Sequence, residues 1–363
     1  MESTFEEDTF CEQFLSPKDV VLRKIEFIFA DVGEQIERGD KTIIIRTSFE
    51  NSHYHLKYSS QRKKKLKRDL CCIQQIREML KSNKKSTKRE MYYQFKELYE
   101  TQRNIDRSIQ QICELLGETR YNLNILSCGK GIMRGTISFV TNDASFIDAR
   151  TQTVLIEERK NFRIFLESLL NMRTISEAEF ILVVEKEAAF QKLLDENFFI
   201  FFPRSILLTA KGYPDICSRN VLRHLVDTIK IPVFGLFDAD AYGIEIYLTY
   251  KYGSILESSE CRDAFIPQIQ WVGVFPSDCN KFPINQNQFS NLSHSDSKKL
   301  FKLLNRSIQL NEQVVRQEID YMLQLKTKFE IEAVSSIGEE YLSRALLYNR
   351  IRHLLDASKI RHS

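Results

Sequence analysis

The chain has 363 residues, 43% apolar and 28% charged, which is the balance of an ordinary globular protein with room for two or three domains. A formal net charge of +3 excludes a strongly acidic or basic protein overall, and the longest apolar run, Phe198 to Phe202, is far too short to span a bilayer. Eight cysteines with no C-x-x-C spacing and six scattered histidines exclude a disulfide scaffold and a zinc finger, and fit reduced thiols in cytosol or nucleus.

From Met1 to Phe14 the chain carries acids at Glu2, Glu6, Glu7, Asp8 and Glu12 and no base, the composition of neither a secretory nor a mitochondrial targeting peptide. Val20 to Ile36 has helical apolar spacing, and Lys41 to Thr47 reads as a β-branched strand. Between Lys57 and Arg89, thirteen Lys or Arg stand against two acids, Asp69 and Glu78. A field of that density favours a polyanion. Its densest part, Arg62 to Arg68, also reads as a solvated linker or a nuclear import signal. Residues 1–64 are therefore expected to form an acidic arm and a basic linker.

Four helices are predicted next, at Asp69–Leu80, Thr87–Tyr99, Asn104–Leu116 (ended by Gly117) and Thr119–Leu126. Gly129 to Gly135 followed by Thr136 to Val140 reads as a turn and a strand pair. Helices followed by a hairpin on a basic background predict a winged helix-turn-helix domain over residues 65–150, its fourth helix entering a DNA groove. From about residue 174 strands and helices alternate, the sign of an α/β domain with a parallel sheet covered on both faces. The strands are placed at 179–184, 205–209, 232–237 and 269–274, the helices at 186–195, 215–229 and 241–251. A helical tail from Ser295 includes one long amphipathic helix, Gln309 to Ala333.

Two places carry chemistry. The apolar run from Phe234 drives into Asp238-Ala239-Asp240, and Phe180 to Val184 ends in Glu185. Two neighbouring parallel strands would deliver three carboxylates to one rim, where ligands gather in open α/β sheets. Hard oxygen ligands there suit Mg²⁺. The plainer reading, that each acid caps the following helix, suits any one of them but not the set. Upstream, Arg89 and Tyr93 lie four apart, hence on one helical face. A phenol with an ordinary pKa of ~10 needs help to attack a phosphodiester, and a guanidinium and Mg²⁺ supply it.

Lys88-Arg-Glu-Met-Tyr-Tyr93, Val183-Val-Glu185-Lys-Glu-Ala-Ala-Phe190, Lys211-Gly-Tyr-Pro-Asp215 and Asp238-Ala-Asp240-Ala-Tyr-Gly-Ile-Glu245 together resemble the meiotic double-strand-break transesterases, homologues of the topoisomerase VI A subunit. Tyr250-Lys-Tyr-Gly-Ser254, Trp271-Val-Gly273, Pro276-Ser-Asp278 and Tyr341-Leu-Ser-Arg344 look more like the meiotic branch than the archaeal one. The resemblance covers residues 65 to 355 in consistent order. It implies a winged-helix domain carrying a nucleophilic tyrosine and a Toprim domain binding Mg²⁺. Carried over by residue, it makes Tyr93 the nucleophile, Arg89 the contact to the scissile phosphate, and Glu185, Asp238 and Asp240 the metal ligands. Lys88, Lys211 and Arg219 match basic positions near the DNA. Ala241 stands where the family has Pro and Ala210 where Gly is common.

The resemblance further implies a nuclear, chromosome-associated homodimer on double-stranded DNA, each site built from one protomer's tyrosine and the other's metal centre. The product would be a 5′-phosphotyrosyl link and a free 3′-hydroxyl. The chain has no G-x-x-x-x-G-K-[ST] cradle. Any ATP-driven gating would come from a topoisomerase VI B-like subunit, alongside accessory meiotic proteins. Two other classes fit the acidic motifs alone: a Toprim nuclease that activates water, and a non-catalytic DNA-binding scaffold.

Overall fold

The computed structural model describes residues 16–47, 54–120, 122–126, 130–140, 146–156, 163–164, 172–253 and 264–360. The acidic start, Gly129 and Ser254 lie outside the described residues. The chain folds as two compact units, Met1–Ser127 and Cys128–Ser363.

In the first unit, helix α1 (Pro17–Glu37) starts where the Ser16 side chain accepts from Asp19 N and Pro17 takes the first helical position. It buries Val21, Ile25, Ile28 and Val32, spaced at three to four residues. Strands β1 (Thr42–Ile45) and β2 (Leu56–Ser59) pair antiparallel. Helix α2 (Lys63–Ser82) presents Cys72, Ile73, Ile76, Met79 and Leu80 to the core that also holds Ile25, Ile28, Ile45 and Tyr58. Each such apolar side chain contributes about 2 kcal/mol on burial. The expected linker is therefore helical. Lys63 to Arg68 form the opening turns of α2, where Lys and Arg are good helix formers. Glu100 pairs with both Lys64 and Arg68, and Arg68 Nε donates to Leu98 O at 2.8 Å. Residues 17–47 and 54–59 are likewise not an arm, since their apolar faces complete this core.

Strand β3 (Ser86–Thr87) leads into α3 (Lys88–Gln94), opened by a capping box: Glu90 N donates to Thr87 Oγ1, and Thr87 N donates to Glu90 Oε2. The helix expected to run to Tyr99 breaks at Phe95 (φ −133°, ψ 45°) and resumes as α4 (Lys96–Tyr99). Helix α5 (Gln102–Leu116) ends at Gly117, in the left-handed conformation glycine favours. The fourth helix, the one expected to enter a DNA groove, is not formed among the described residues of 119–126. Residues 122–124 are turn, Asn124 is left-handed, and Ile125–Leu126 is strand β4, parallel to β3. An eight-residue stretch cannot offset helix nucleation by itself, and a strand partner was available.

The second unit is built on a seven-stranded sheet, taken below in spatial order. Strands β14 (Gln270–Gly273), β13 (Val233–Leu236), β11 (Phe180–Val184) and β12 (Ser205–Thr209) run parallel. Then come β5 (Gly131–Gly135), antiparallel to β12, and β8 (Val154–Ile156), antiparallel to β5, with β9 (Arg163–Ile164) on the edge. Successive strand residues face opposite ways. Ile181, Val183, Ile206, Leu208 and Val233 enter one core, and Phe180, Leu182, Val184, Leu207, Phe234 and Leu236 the other. One face is covered by α8 (Ile216–Ile229), α9 (Ala241–Tyr252), α10 (His294–Gln309) and α11 (Gln313–Leu325). The other is covered by α6 (Glu187–Asp195), α7 (Phe198–Phe201), α12 (Ile331–Ser335), a π-helical turn Tyr341–Tyr348 and α13 (Asn349–Ile360).

Two further expectations are corrected. The strand pair at 131–140 is not a hairpin. Strand β5 joins the large sheet, whereas β6 (Ile137–Val140) joins β7 (Phe146–Asp148) and β10 (Arg173–Ser176) in another. Gly135 makes the close approach possible: at φ +137° a Cβ there would lie 2.2 Å from Ser205 O. Nor is Gln309 to Ala333 one helix. Asn311 and Lys326 adopt left-handed conformations that separate α10, α11 and the short strand β16 (Thr327–Lys328), which pairs with β15 (Ser290–Asn291).

Candidate active site

Helix α3 gives two adjacent tyrosines opposite environments. Tyr92 is 8% exposed and donates its hydroxyl to Glu100 O at 3.1 Å. Tyr93, next around the helix, is 54% exposed. The four-residue spacing to Arg89 is realised as a contact, with the guanidinium carbon 5.8 Å from the Tyr93 ring centroid. Lys88 sits on the same turn, its ammonium 2.9 Å from Asp106 Oδ1.

In the second unit the sheet places the acids. Register sets Val184 beside Leu236, so Glu185 and Asp238 emerge together at the carboxyl ends of β11 and β13. Glu185 N donates to Leu236 O at 3.0 Å, and Glu185 Oε2 accepts from Asp238 N at 2.8 Å. Both residues are buried. Burial, then the neighbouring Asp238 charge, raises the Glu185 carboxyl above its ordinary range. Burial raises Asp238 too, and Lys186 works against that rise. Asp240 caps α9, its Oδ1 accepting from Tyr242 N and Gly243 N at 2.8 and 2.7 Å. A Cβ on Gly243 would lie 2.3 Å from Asp238 O, so only glycine lets the helix start this close to the strand end.

Glu185, Asp238 and Asp240 form an all-oxygen donor set suited to a hard dication, the Asp240 charge adding to the rise at Glu185 and Asp238. By that chemistry Glu185, Asp238 and Asp240 fit Mg²⁺. Among the described residues, however, no three acids, histidines or cysteines are gathered as a metal-ligating cluster. Asp238 is engaged on both oxygens instead. Its Oδ1 accepts from Ile331 N at 2.8 Å, and its Oδ2 lies 2.8 Å from Lys186 Nζ. Lys186 also pairs with Glu330 at 2.5 Å and Glu332 at 3.4 Å. The sequence reading missed these three. Lys186 follows Glu185 directly and could have been suspected, but nothing local announces acids more than 140 residues away. A cavity of about 230 Å³ beside them is lined in part by Asp240, Lys328, Glu330 and Glu332.

The remaining basic candidates separate. Lys211 is half-buried, left-handed at φ 56°, and pairs with Glu187 at 2.8 Å. Arg219 is corrected: it lies inside α8 at 0% exposure, so it presents no surface to DNA.

The family model for the Toprim domain of the topoisomerase 6 A subunit and Spo11 matches residues 180–351, and "Type IIB DNA topoisomerase" matches residues 64–125. "Meiotic recombination protein spo-11" of Caenorhabditis elegans is 49% identical over 346 residues, covering 95% of this chain and 79% of that protein. The chain belongs to the Spo11/topoisomerase 6 A-subunit family. "Meiotic recombination protein SPO11" of Homo sapiens is 32% identical over 93% of this chain and 89% of its own length. The A subunit of DNA topoisomerase 6 from Arabidopsis thaliana is 33% identical over 72% of this chain and 60% of its own length. In this Spo11-family chain the Toprim match encloses Glu185, Asp238 and Asp240, and the topoisomerase match encloses Arg89 and Tyr93.

Proposed function

We propose that this chain makes the DNA double-strand breaks that begin meiotic recombination, by tyrosine transesterification. The observation that carries the reading is the division of labour within Tyr92-Tyr93: one ring is anchored in the core, and the other is exposed beside a guanidinium. Kinship with meiotic recombination proteins supplies the biological setting, a nuclear one on chromosomes.

In this reading the Tyr93 hydroxyl attacks a backbone phosphorus. A phosphotyrosyl bond forms to the 5′ side, the bond to the 3′ oxygen breaks, and that oxygen takes up a proton as the phenol gives one up. One ester replaces another, so scission needs no nucleotide. Arg89 holds the phosphoryl oxygens as charge builds on them. Lys88 and Lys211 exchange Asp106 and Glu187 for neighbouring phosphates. Glu185, Asp238 and Asp240 hold Mg²⁺, which supplies charge neutralisation at the phosphate. The first unit, Met1–Ser127, serves as the DNA-binding domain, and residues 174–363 as the Toprim domain. One such tyrosine per chain cuts one strand, so two copies act together on double-stranded DNA. ATP-driven gating falls to a topoisomerase VI B-like subunit, with accessory meiotic proteins recruiting the assembly.

The test is denaturing capture of the protein from meiotic cells, with terminal-transferase labelling of attached DNA. Label is expected on the wild type and not on Tyr93→Phe. A stable covalent product from Tyr93→Phe would overturn the assignment.

A further inference from the structure

Lys186 follows Glu185 within its motif and carries no role in the proposed reaction, yet it makes the closest ionic contact to one of the acids. Its ammonium lies 2.8 Å from Asp238 Oδ2 and is bonded as well to Glu330 and Glu332. Its side chain is 28% exposed and that of Asp238 is 3% exposed, so the pair is screened far less than a surface ion pair. The ammonium is thus a firmly held cation on an oxygen of the proposed metal site.

A dication ligated by Asp238 would stand within a few ångströms of that ammonium. Like charges so close in a poorly solvated site repel strongly, and the lysine must give way. Its neighbours show where it goes. Glu330 and Glu332 flank Ile331, whose N–H fixes Asp238 Oδ1 at 2.8 Å. Ala239, between the two aspartates, is bridged to Phe329, whose N donates to Ala239 O at 3.3 Å. The short segment 329–332 is therefore tied at two points to the strand end that carries the acids. It holds two carboxylates within reach of a flexible four-carbon stem.

We propose that Lys186 is a tethered counter-cation that competes with the divalent metal for Asp238, and that Glu330 and Glu332 receive its ammonium when the metal binds. The inference rests on the metal-binding reading of Glu185, Asp238 and Asp240. Leaving Asp238 costs the lysine one of three partners rather than its only one. The exchange keeps every charge paired in both arrangements and makes occupancy depend on the concentration of free metal.

The test is Mn²⁺ titration of the full chain, followed by water-proton relaxation, which needs no DNA and no turnover. Lys186→Met is expected to bind Mn²⁺ roughly tenfold more tightly than wild type, equivalent to about 1.4 kcal/mol. Lys186→Arg, which keeps the charge, stays close to wild type. Glu330→Gln with Glu332→Gln weakens binding in the wild-type background and much less in Lys186→Met, because the lysine they would receive is gone. Should Lys186→Met fail to fold, Lys186→Gln carries the same expectations. Equal or weaker binding by Lys186→Met and Lys186→Gln, with binding still lost in Asp238→Asn, overturns the inference and leaves the metal site standing. Binding by Asp238→Asn equal to wild type overturns both.

Discussion

Tyr92 and Tyr93 project about 100° apart around one helix, and that rotation decides what each substitution costs. Tyr92→Phe gives up the hydrogen bond to Glu100 O and is expected to lower stability by about 1 kcal/mol while leaving covalent capture intact. Tyr93→Phe should do the reverse, with stability unchanged within about 0.5 kcal/mol and capture abolished. Thermal unfolding of both variants beside the capture assay separates the two roles. Asp238→Asn keeps an acceptor for Ile331 N but removes the charge opposite Lys186. Addition of Mg²⁺ should raise the wild-type Tm and leave that of Asp238→Asn unmoved; an equal rise in both would move the ligand role elsewhere. At this scale the sequence was informative where chemistry is contiguous. Asp238-Ala-Asp240 and the Arg89/Tyr93 spacing could be read directly. Arg219 could not be placed, because a helical position does not reveal which face is buried, and Glu330 and Glu332 reach the site only through the fold.

Elements hold these side chains in position through their ends. Thr87 closes the capping box of α3, the seven-residue helix that carries both Arg89 and Tyr93, so Thr87→Ala should cost about 1 kcal/mol. Its effect should show in urea titration as a lowered midpoint with unchanged slope. Gly243 sits against the Asp238 backbone, and Gly243→Ala must push α9 away from the strand end that presents Asp238 and Asp240. Loss of Mg²⁺-dependent stabilisation greater than loss of overall stability is the expected signature. The start of α10 is sensitive to acid. Burial would raise Asp296, but hydrogen bonds from Lys328 and Ser293 prevail and hold it down to about 2. A carboxyl lowered in the folded state stabilises at pH above its ordinary value near 4 and loses that contribution as pH falls toward 2. Asp296→Asn should flatten the acid limb of the stability profile. Helices with clear caps, such as α5 before Gly117, were legible from composition; the breaks at Phe95 and Lys326 were not, since neither residue is a helix breaker by type, whereas Asn311 is of a type that readily takes the left-handed conformation.

Among the described residues, apolar side chains collect in three cores, one in the first unit and two on the faces of the large sheet, and each unit can be followed on its own. Local charge matters more than the total. Replacing Lys63, Lys65 and Lys67 by Gln is expected to weaken DNA binding and to lower the slope of log K against log salt by about 0.9 for each phosphate no longer neutralised. An unchanged slope would place the DNA elsewhere. Alternation of strand and helix made the four parallel strands readable. The antiparallel addition was hidden, because pairing of Ile206–Thr209 with Ile132–Gly135 joins segments some seventy residues apart and leaves no local trace. That addition bears on how the protein can be dissected. A fragment beginning at residue 174, where alternation starts, would strip one side of β12 of its neighbour and bare a row of amide and carbonyl groups on a strand buried throughout its length. Such an edge invites other chains to pair with it. The fragment should self-associate in size-exclusion chromatography, whereas one starting ahead of Gly131 should remain monodisperse.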